Sequence, residues 1–212
     1  MNAIYQIYYN DETAKLLDPL CTPVFNETLT DYYENDVMIA LELRDAFKEF
    51  DYVGVLSPRF KEKTGRTLQE IYAMMYSNPS DIYVLCAYDH EVCKQFWAKT
   101  FKDSIILQDC INEAGFLPFK IDQSTWVNAY CNYVICRGAI MSEYVNTVLM
   151  PVKHYLMTTK DPRVIAALDR NVTHRGGTTS IIPYFFEGLF GAFIGNSTHK
   201  HEILITPKPV FV

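Results

Sequence analysis

Short, nearly continuous runs of aliphatic and aromatic residues alternate along the chain with longer stretches in which apolar residues recur every three or four positions. The first kind reads as strands buried on both faces, the second as helices packed by one face. "AIYQIYY" (residues 3–9) predicts a first strand, closed by "NDET", where Asn10 or Asp11 is placed to cap a short helix. Residues 18–30, with Asp18, Pro19, Pro23, Asn26 and Thr28, read as a loop. "YENDVMIALELRDAFKEF" has helical spacing through Val37, Ala40, Leu41, Phe47 and Phe50, and Arg44 breaks that stripe. "DYVGVLS" predicts a second strand stopped by Pro58, and "TLQEIYAMMYSN" a helix starting at Thr67. "DIYVLCA" predicts a third strand, followed by "YDHE", a helical run through Phe96, Trp97 and Phe101, and a further helix over 103–114. "YCNYVIC" is a fourth strand, and "GAIMSEYVNTVLMPVKHYLMTT" a long helix kinked before Pro151. The apolar stretch after "NVTHRGGTTS" supplies the last major helix, and "HEILITP" a terminal strand or arm.

Strands separated by helices predict an α/β fold with a mainly parallel central sheet flanked by helices. No repeat, low-complexity tract or linker divides the chain, so one domain over 1–212 is expected, with 197–212 as a C-terminal arm. Ligands of such sheets bind beyond the carboxyl ends of the strands. That directs attention to Asn10, to Ser57–Arg59 and to Tyr88–Glu91.

Composition narrows the classes. At 212 residues and 49% hydrophobic, the chain can bury a substantial core and is not a mostly disordered polymer. A net charge of −6 with no long basic run does not suggest a broad nucleic-acid-binding face but leaves room for a local patch, for which Lys61, Lys63 and Arg66 are the candidates against a plain solvated turn. The six cysteines show no CxxC spacing and several sit in strand-like runs, which reads as buried free thiols in a reducing cytoplasm. The 15 tyrosines suit either a ligand-stacking pocket or a Tyr-rich core and rim. No apolar run is long and clean enough for a membrane span.

Candidate chemistry sits at the predicted strand ends. Arg59 would meet phosphate with a planar fork of donors, or else belong to the solvated turn "KEKTGR". Asp89, in "YDHE", would hold a divalent ion or sugar hydroxyls, or simply cap the following helix. Walker A, GxGxxG, HExxH and GxSxG motifs are absent from the sequence, which argues against P-loop NTPases, simple Rossmann dehydrogenases, zincins and α/β-hydrolases. In "HRGGTTSIIPYFFEGLF", Thr179 or Ser180 would cap a helix whose free N–H groups form an anion site, and Pro183 fits the first turn. The same helix is apolar on nearly every face except at Glu187, which must then be protonated or paired. Arg175 is a candidate partner in a structural clasp; the other reading turns Glu187 toward a polar pocket. His199 and His201 read as part of a mobile tail.

Taken together, "IYQIYYNDET", "DYVGVLSPRFKEKTG", "DIYVLCAYD", "YCNYVIC" and "HRGG" before an apolar helix containing Glu resemble a family of small glycosyltransferase-like proteins from bacterial surface-polysaccharide clusters and phages, over roughly residues 3–195. The resemblance implies a compact GT-A-like fold that binds a nucleotide-sugar donor and transfers its sugar to a hydroxyl acceptor, either a surface glycan or a hydroxymethylated base of phage DNA. It implies Tyr8, Tyr9 and Asn10 near the nucleotide, Ser57 and Arg59 flanking the donor, and Arg175 and Gly176 beside it. Asp89 would be the metal- or sugar-binding acid, with Mn2+ or Mg2+ as its ion. Asn132 and His174 would line the sugar or acceptor pocket, and Glu187 or Asp89 would act as base. The chain departs from the pattern in lacking Asp-x-Asp and in carrying His174 and Arg175 where an acid and an aromatic are expected before the glycines. A catalytically inactive nucleotide-sugar- or glycan-binding protein on the same fold is the alternative.

Overall fold

The computed structural model describes residues 1–26, 34–85, 102–122, 124–127, 129–174 and 177–203. Six strands form one sheet: β1 (Asn2–Tyr8), β2 (Thr22–Phe25), β3 (Tyr52–Leu56), β4 (Ile82–Val84), β5 (Val134–Arg137) and β8 (His201–Ile203), in the order β2-β1-β3-β5-β4-β8. A separate antiparallel pair, β6 (Asn171–His174) and β7 (Gly177–Ser180), precedes the last helix.

The sheet is mixed, which corrects the expectation of a mainly parallel one. β1 is parallel to β2 and β3, and β4 to β8, but β5 runs against both β3 and β4. The reason lies in the preceding segment. Residues 125–127 lie across the last helix, α9 (Ile182–Asn196), where Val127 N–H donates to the Gly191 carbonyl at 3.2 Å. The 3-10 turn Tyr130–Asn132 then delivers the chain to the edge where β1, β3 and β4 end, so β5 must run back down.

Alternation along the strands explains why they read as unbroken apolar runs. Ala3, Tyr5, Ile7, Val53, Val55, Ile82, Val84, Val134 and Cys136 face one core, while Ile4, Leu56, Tyr83, Leu85, Tyr133 and Ile135 face a second. Both faces are covered, so neither needs polar side chains. The second core is closed by α3 (Phe60–Thr64) and α4 (Leu68–Ser77) through Phe60, Leu68, Ile71 and Met75. The larger one is closed by α2 (Glu34–Glu42), α5 (Lys102–Ala114), α6 (Gly138–Tyr144), α7 (Met150–Thr158), α8 (Pro162–Leu168) and α9.

Local signals set several boundaries. Asn10 caps α1 (Asp11–Ala14) and Thr67 caps α4, each in a capping box, with Thr13 and Glu70. Pro151 has no N–H to offer, and a π-turn over Val145–Leu149 directly precedes it and joins α6 to α7. Elsewhere tertiary packing wins over periodicity. The helix expected to reach Phe50 stops at Glu42, and Asp45 adopts φ 55°. The Glu42 carboxylate is buried and accepts from Ser142 Oγ at 2.7 Å and Asn146 Nδ2 at 2.6 Å, pinning the end of α2 to the α6–π-turn rod. The segment read as loop contains β2, and the arm contains β8. His201 therefore pairs in the sheet and the half-buried His199 ring meets Glu143 at 3.2 Å, so neither lies in a mobile tail. Among the described residues no helix is long and apolar enough to cross a membrane.

Candidate functional site

The edge beyond the carboxyl ends of β1 and β3 is braced by buried polar groups. Gln6 of β1 donates through Nε2 to the carbonyls of Ser57 and Pro58, both at 3.2 Å, and accepts from the Asp18 N–H at 2.7 Å. The Asp18 carboxylate accepts the N–H of Leu20 at 3.0 Å and of Leu68 at 3.1 Å, which ties the start of α4 to the same brace. The buried hydroxyls of Ser57 and Tyr133 share a hydrogen bond. The loop after β3 is thus locked to the chain entering β5.

Against this brace α3 delivers Lys63. Its ammonium donates to Cys131 Sγ at 3.2 Å and lies 5.5 Å from the centroid of the Tyr133 ring, which packs edge-on to Phe60. Cys131 and Asn132 both adopt left-handed backbone, with φ of 57° and 54°. At Cys131 this costs about 1–2 kcal/mol and persists only where the surroundings over-determine it, whereas asparagine visits this region readily. Asn132 is buried; its Nδ2 reaches Asn35 Oδ1 of α2 at 3.5 Å, and its Oδ1 has no partner among the described residues. A buried acceptor left open can be met by a ligand donor or by water.

Charge gathers at the same point. Burial pulls the Lys63 ammonium down, but Cys131, Glu187 and Glu34 outweigh it and hold its pKa above the ordinary value. Burial pushes the Glu34 carboxyl up, only partly offset by its own backbone hydrogen bond and by Lys63. A proton is therefore retained more readily on Glu34 than on an ordinary glutamate. Half-buried Glu187 comes from the first turns of α9. One lysine, two glutamates, a thiol and an open amide oxygen thus meet at one edge, drawn from α2, α3, α9 and the turn before β5.

Of the residues expected at the site, Ser57, Asn132 and Glu187 lie in or beside this cluster. Glu187 is half-buried rather than fully buried, and the lysine whose charge it modulates is Lys63. Tyr8 and Tyr9 are half-buried at the end of β1; the Tyr8 ring lies 5.2 Å from that of Phe25, and Tyr9 N–H donates to Thr13 Oγ1 at 2.8 Å. Asn10 is exposed and serves as the cap of α1. Arg59 faces solvent in an ion pair with Glu62 at 2.6 Å. His174 ends β6, paired with Gly177 of the antiparallel β7, and Ser180 Oγ accepts the Ile182 N–H at 3.2 Å at the start of α9. Asp89, Arg175 and Gly176 lie outside the described residues. Among the described residues no three His, Cys, Asp or Glu side chains gather as a metal site, and a lysine occupies the centre of this cluster. Of the three basic residues here, Lys61 is exposed, Lys63 donates to Cys131, and half-buried Arg66 has an Nε with no partner among the described residues.

Sequence reasoning missed Lys63, Glu34, Asn35, Cys131 and Tyr133 as neighbours. The one available signal was the position of "YCNY" at a strand end, since its polar residues interrupt an otherwise apolar run. Comparison with protein-family models, with curated proteins and with solved structures finds no match to this chain.

Proposed function

We propose that the protein is a nucleotide-sugar-dependent glycosyltransferase of GT-A-like fold, acting at the Lys63–Asn132–Glu187 edge. The observation that carries the reading is the buried Asn132 with its Oδ1 open among the described residues, set beside a lysine and two carboxylates. A second support is position, since the cluster lies beyond the carboxyl ends of parallel strands, where α/β sheets bind their ligands. A third is the resemblance in sequence stated above.

In this reading the Lys63 ammonium neutralises the departing diphosphate, and Asn132 Oδ1 accepts a hydroxyl of the sugar. The bond from the anomeric carbon to the phosphate oxygen breaks and its electron pair leaves with the diphosphate. The acceptor oxygen bonds to that carbon, and its proton passes to the Glu187 carboxylate. The described carboxylates do not make a divalent-ion site around Lys63, so no step is assigned to Mn2+ or Mg2+.

Thermal-shift screening of nucleoside diphosphates and nucleotide-sugars, with and without Mn2+, followed by a transfer assay, tests the reading. At least one nucleotide-sugar should raise the Tm, and Asn132→Ala should abolish that rise. Glu187→Gln should keep it while turnover falls about 100-fold or more, the scale of a lost general base. Stabilisation without transfer or hydrolysis would make the protein a binding module instead. No stabilisation by any nucleotide would overturn the proposal.

A further inference from the structure

We propose that Tyr133 is a positioning residue for the Lys63 ammonium and sets its place relative to Asn132. The inference rests on the reading above, in which Lys63 meets the diphosphate and Asn132 the sugar. A lysine by itself places its charge poorly, because its long stem turns freely about several bonds. Here the stem rises from α3, a short helix that ends at Gly65 with left-handed backbone, φ 67°. Glu34 of α2 and Glu187 of α9 attract the ammonium from two other elements. Among the described residues, Cys131 Sγ accepts from it at 3.2 Å, and the centroid of the Tyr133 ring lies 5.5 Å away.

Tyr133 meets the loop after β3 and the helix that follows at every third residue. Its hydroxyl shares a hydrogen bond with Ser57 Oγ. Its ring packs with that of Phe60, centroids 5.6 Å apart and planes at 80°. Lys63 Nζ stands over its face. Phe60 and Lys63 are three positions apart and so share one face of α3. The Phe60 N–H donates in turn to the Ser57 carbonyl at 3.1 Å. The Tyr133 side chain is fully buried, and its own carbonyl accepts the Leu85 N–H at 2.8 Å. The residue is thus fixed at its backbone and at its hydroxyl, and Asn132 directly precedes it. One side chain therefore sets the register between the cation of α3 and the amide of Asn132. A ring face attracts an ammonium the more strongly the less water surrounds the pair, and Lys63 is half-buried.

The test has two arms, both on the full chain. The first uses no nucleotide. Protons over an aromatic face resonate upfield, so the Lys63 ε-methylene signal, assigned by its loss in Lys63→Met, should lie upfield of the other lysines in a 1H–13C spectrum. Tyr133→Phe, which keeps the ring, should retain that shift, and Tyr133→Leu should abolish it. The second arm titrates UDP, GDP and ADP by calorimetry. Tyr133→Leu should weaken the tightest of them about tenfold, the scale of a partly desolvated contact between cation and ring, and Tyr133→Phe should weaken it less. In a Lys63→Met background Tyr133→Leu should cause no further loss, since nothing is left for it to position.

Equal losses with and without Lys63 would mark a merely structural role and overturn the proposal. A Lys63 signal lying among the other lysines in the parent would overturn it too, and that is read even if Tyr133→Leu fails to fold. If the signal is shifted but no nucleoside diphosphate binds the parent, the glycosyltransferase reading falls while Tyr133 still positions Lys63.

Discussion

Replacing Gly191 by alanine sets two physical effects in opposition, and the structure decides between them. Alanine is the better helix former, by about 1 kcal/mol. A Cβ on Gly191, however, would stand 2.1 Å from the Val127 carbonyl oxygen, far inside any real contact. Backbone has to move by about an ångström, and overpacking of that kind costs about 1–3 kcal/mol. The same movement stretches the 3.2 Å bond from Val127 N–H to the Gly191 carbonyl, worth about 1 kcal/mol. The net expectation is a loss of about 2 kcal/mol, or roughly 4–8 °C in Tm for a chain of this size. Gly195→Ala should cost at least as much, because its Cβ would meet the Thr125 carbonyl oxygen at 1.8 Å. Gly188→Ala should also destabilise, because its Cβ would stand 2.7 Å from the ring of Trp126, which is itself buried in the core. Urea unfolding followed by far-UV circular dichroism measures all three. Refutation would be Gly191→Ala unfolding at the parent's midpoint or above it.

Glu34 carries a pH dependence of known sign. Its folded pKa lies above the ordinary 4.5, so the folded state holds the proton longer than the unfolded one. Its stability contribution is full below the unfolded value and is lost as pH rises through the folded value. Glu34→Gln should therefore gain on the parent as pH rises from 4 to 8 in denaturant titrations; a flat or falling difference would contradict this. Tyr133→Phe should cost about 1–3 kcal/mol by leaving the buried Ser57 hydroxyl without its partner. The double variant with Ser57→Ala should cost at least about 1 kcal/mol less than the sum of the singles, and strict additivity in chemical unfolding would deny the bond any role.

The sequence by itself determined the strands that are apolar on both faces, a cap at Asn10 or Asp11, a helix start at Thr67, the stop at Pro58 and the buried last helix. Each rests on neighbours within a few residues of one another: side-chain periodicity, a hydroxyl or amide reaching the third N–H ahead, a missing donor. Pro151 likewise announced the irregularity in the long helix, which the structure resolves as a π-turn. What periodicity does not contain is direction and depth. β5 runs against its neighbours because residues 125–127 lie on the glycines of α9, a contact between segments more than sixty positions apart. β2 is too short and too exposed to show a pattern, and it exists because β1 offers an edge to pair with. The candidate site follows the same division. Ser57 and Glu187 stood out in the sequence, one as a polar residue at the end of a strand and the other as an acid alone in an apolar helix, whereas Asn132 came only from the resemblance. Lys63 was not, since "KEKTGR" looks like any solvated turn until α3 is laid against Tyr133 and Cys131. Only the tertiary structure decides which of several similar lysines leaves water, because that depends on the carboxylates and the thiol brought to it from distant parts of the chain.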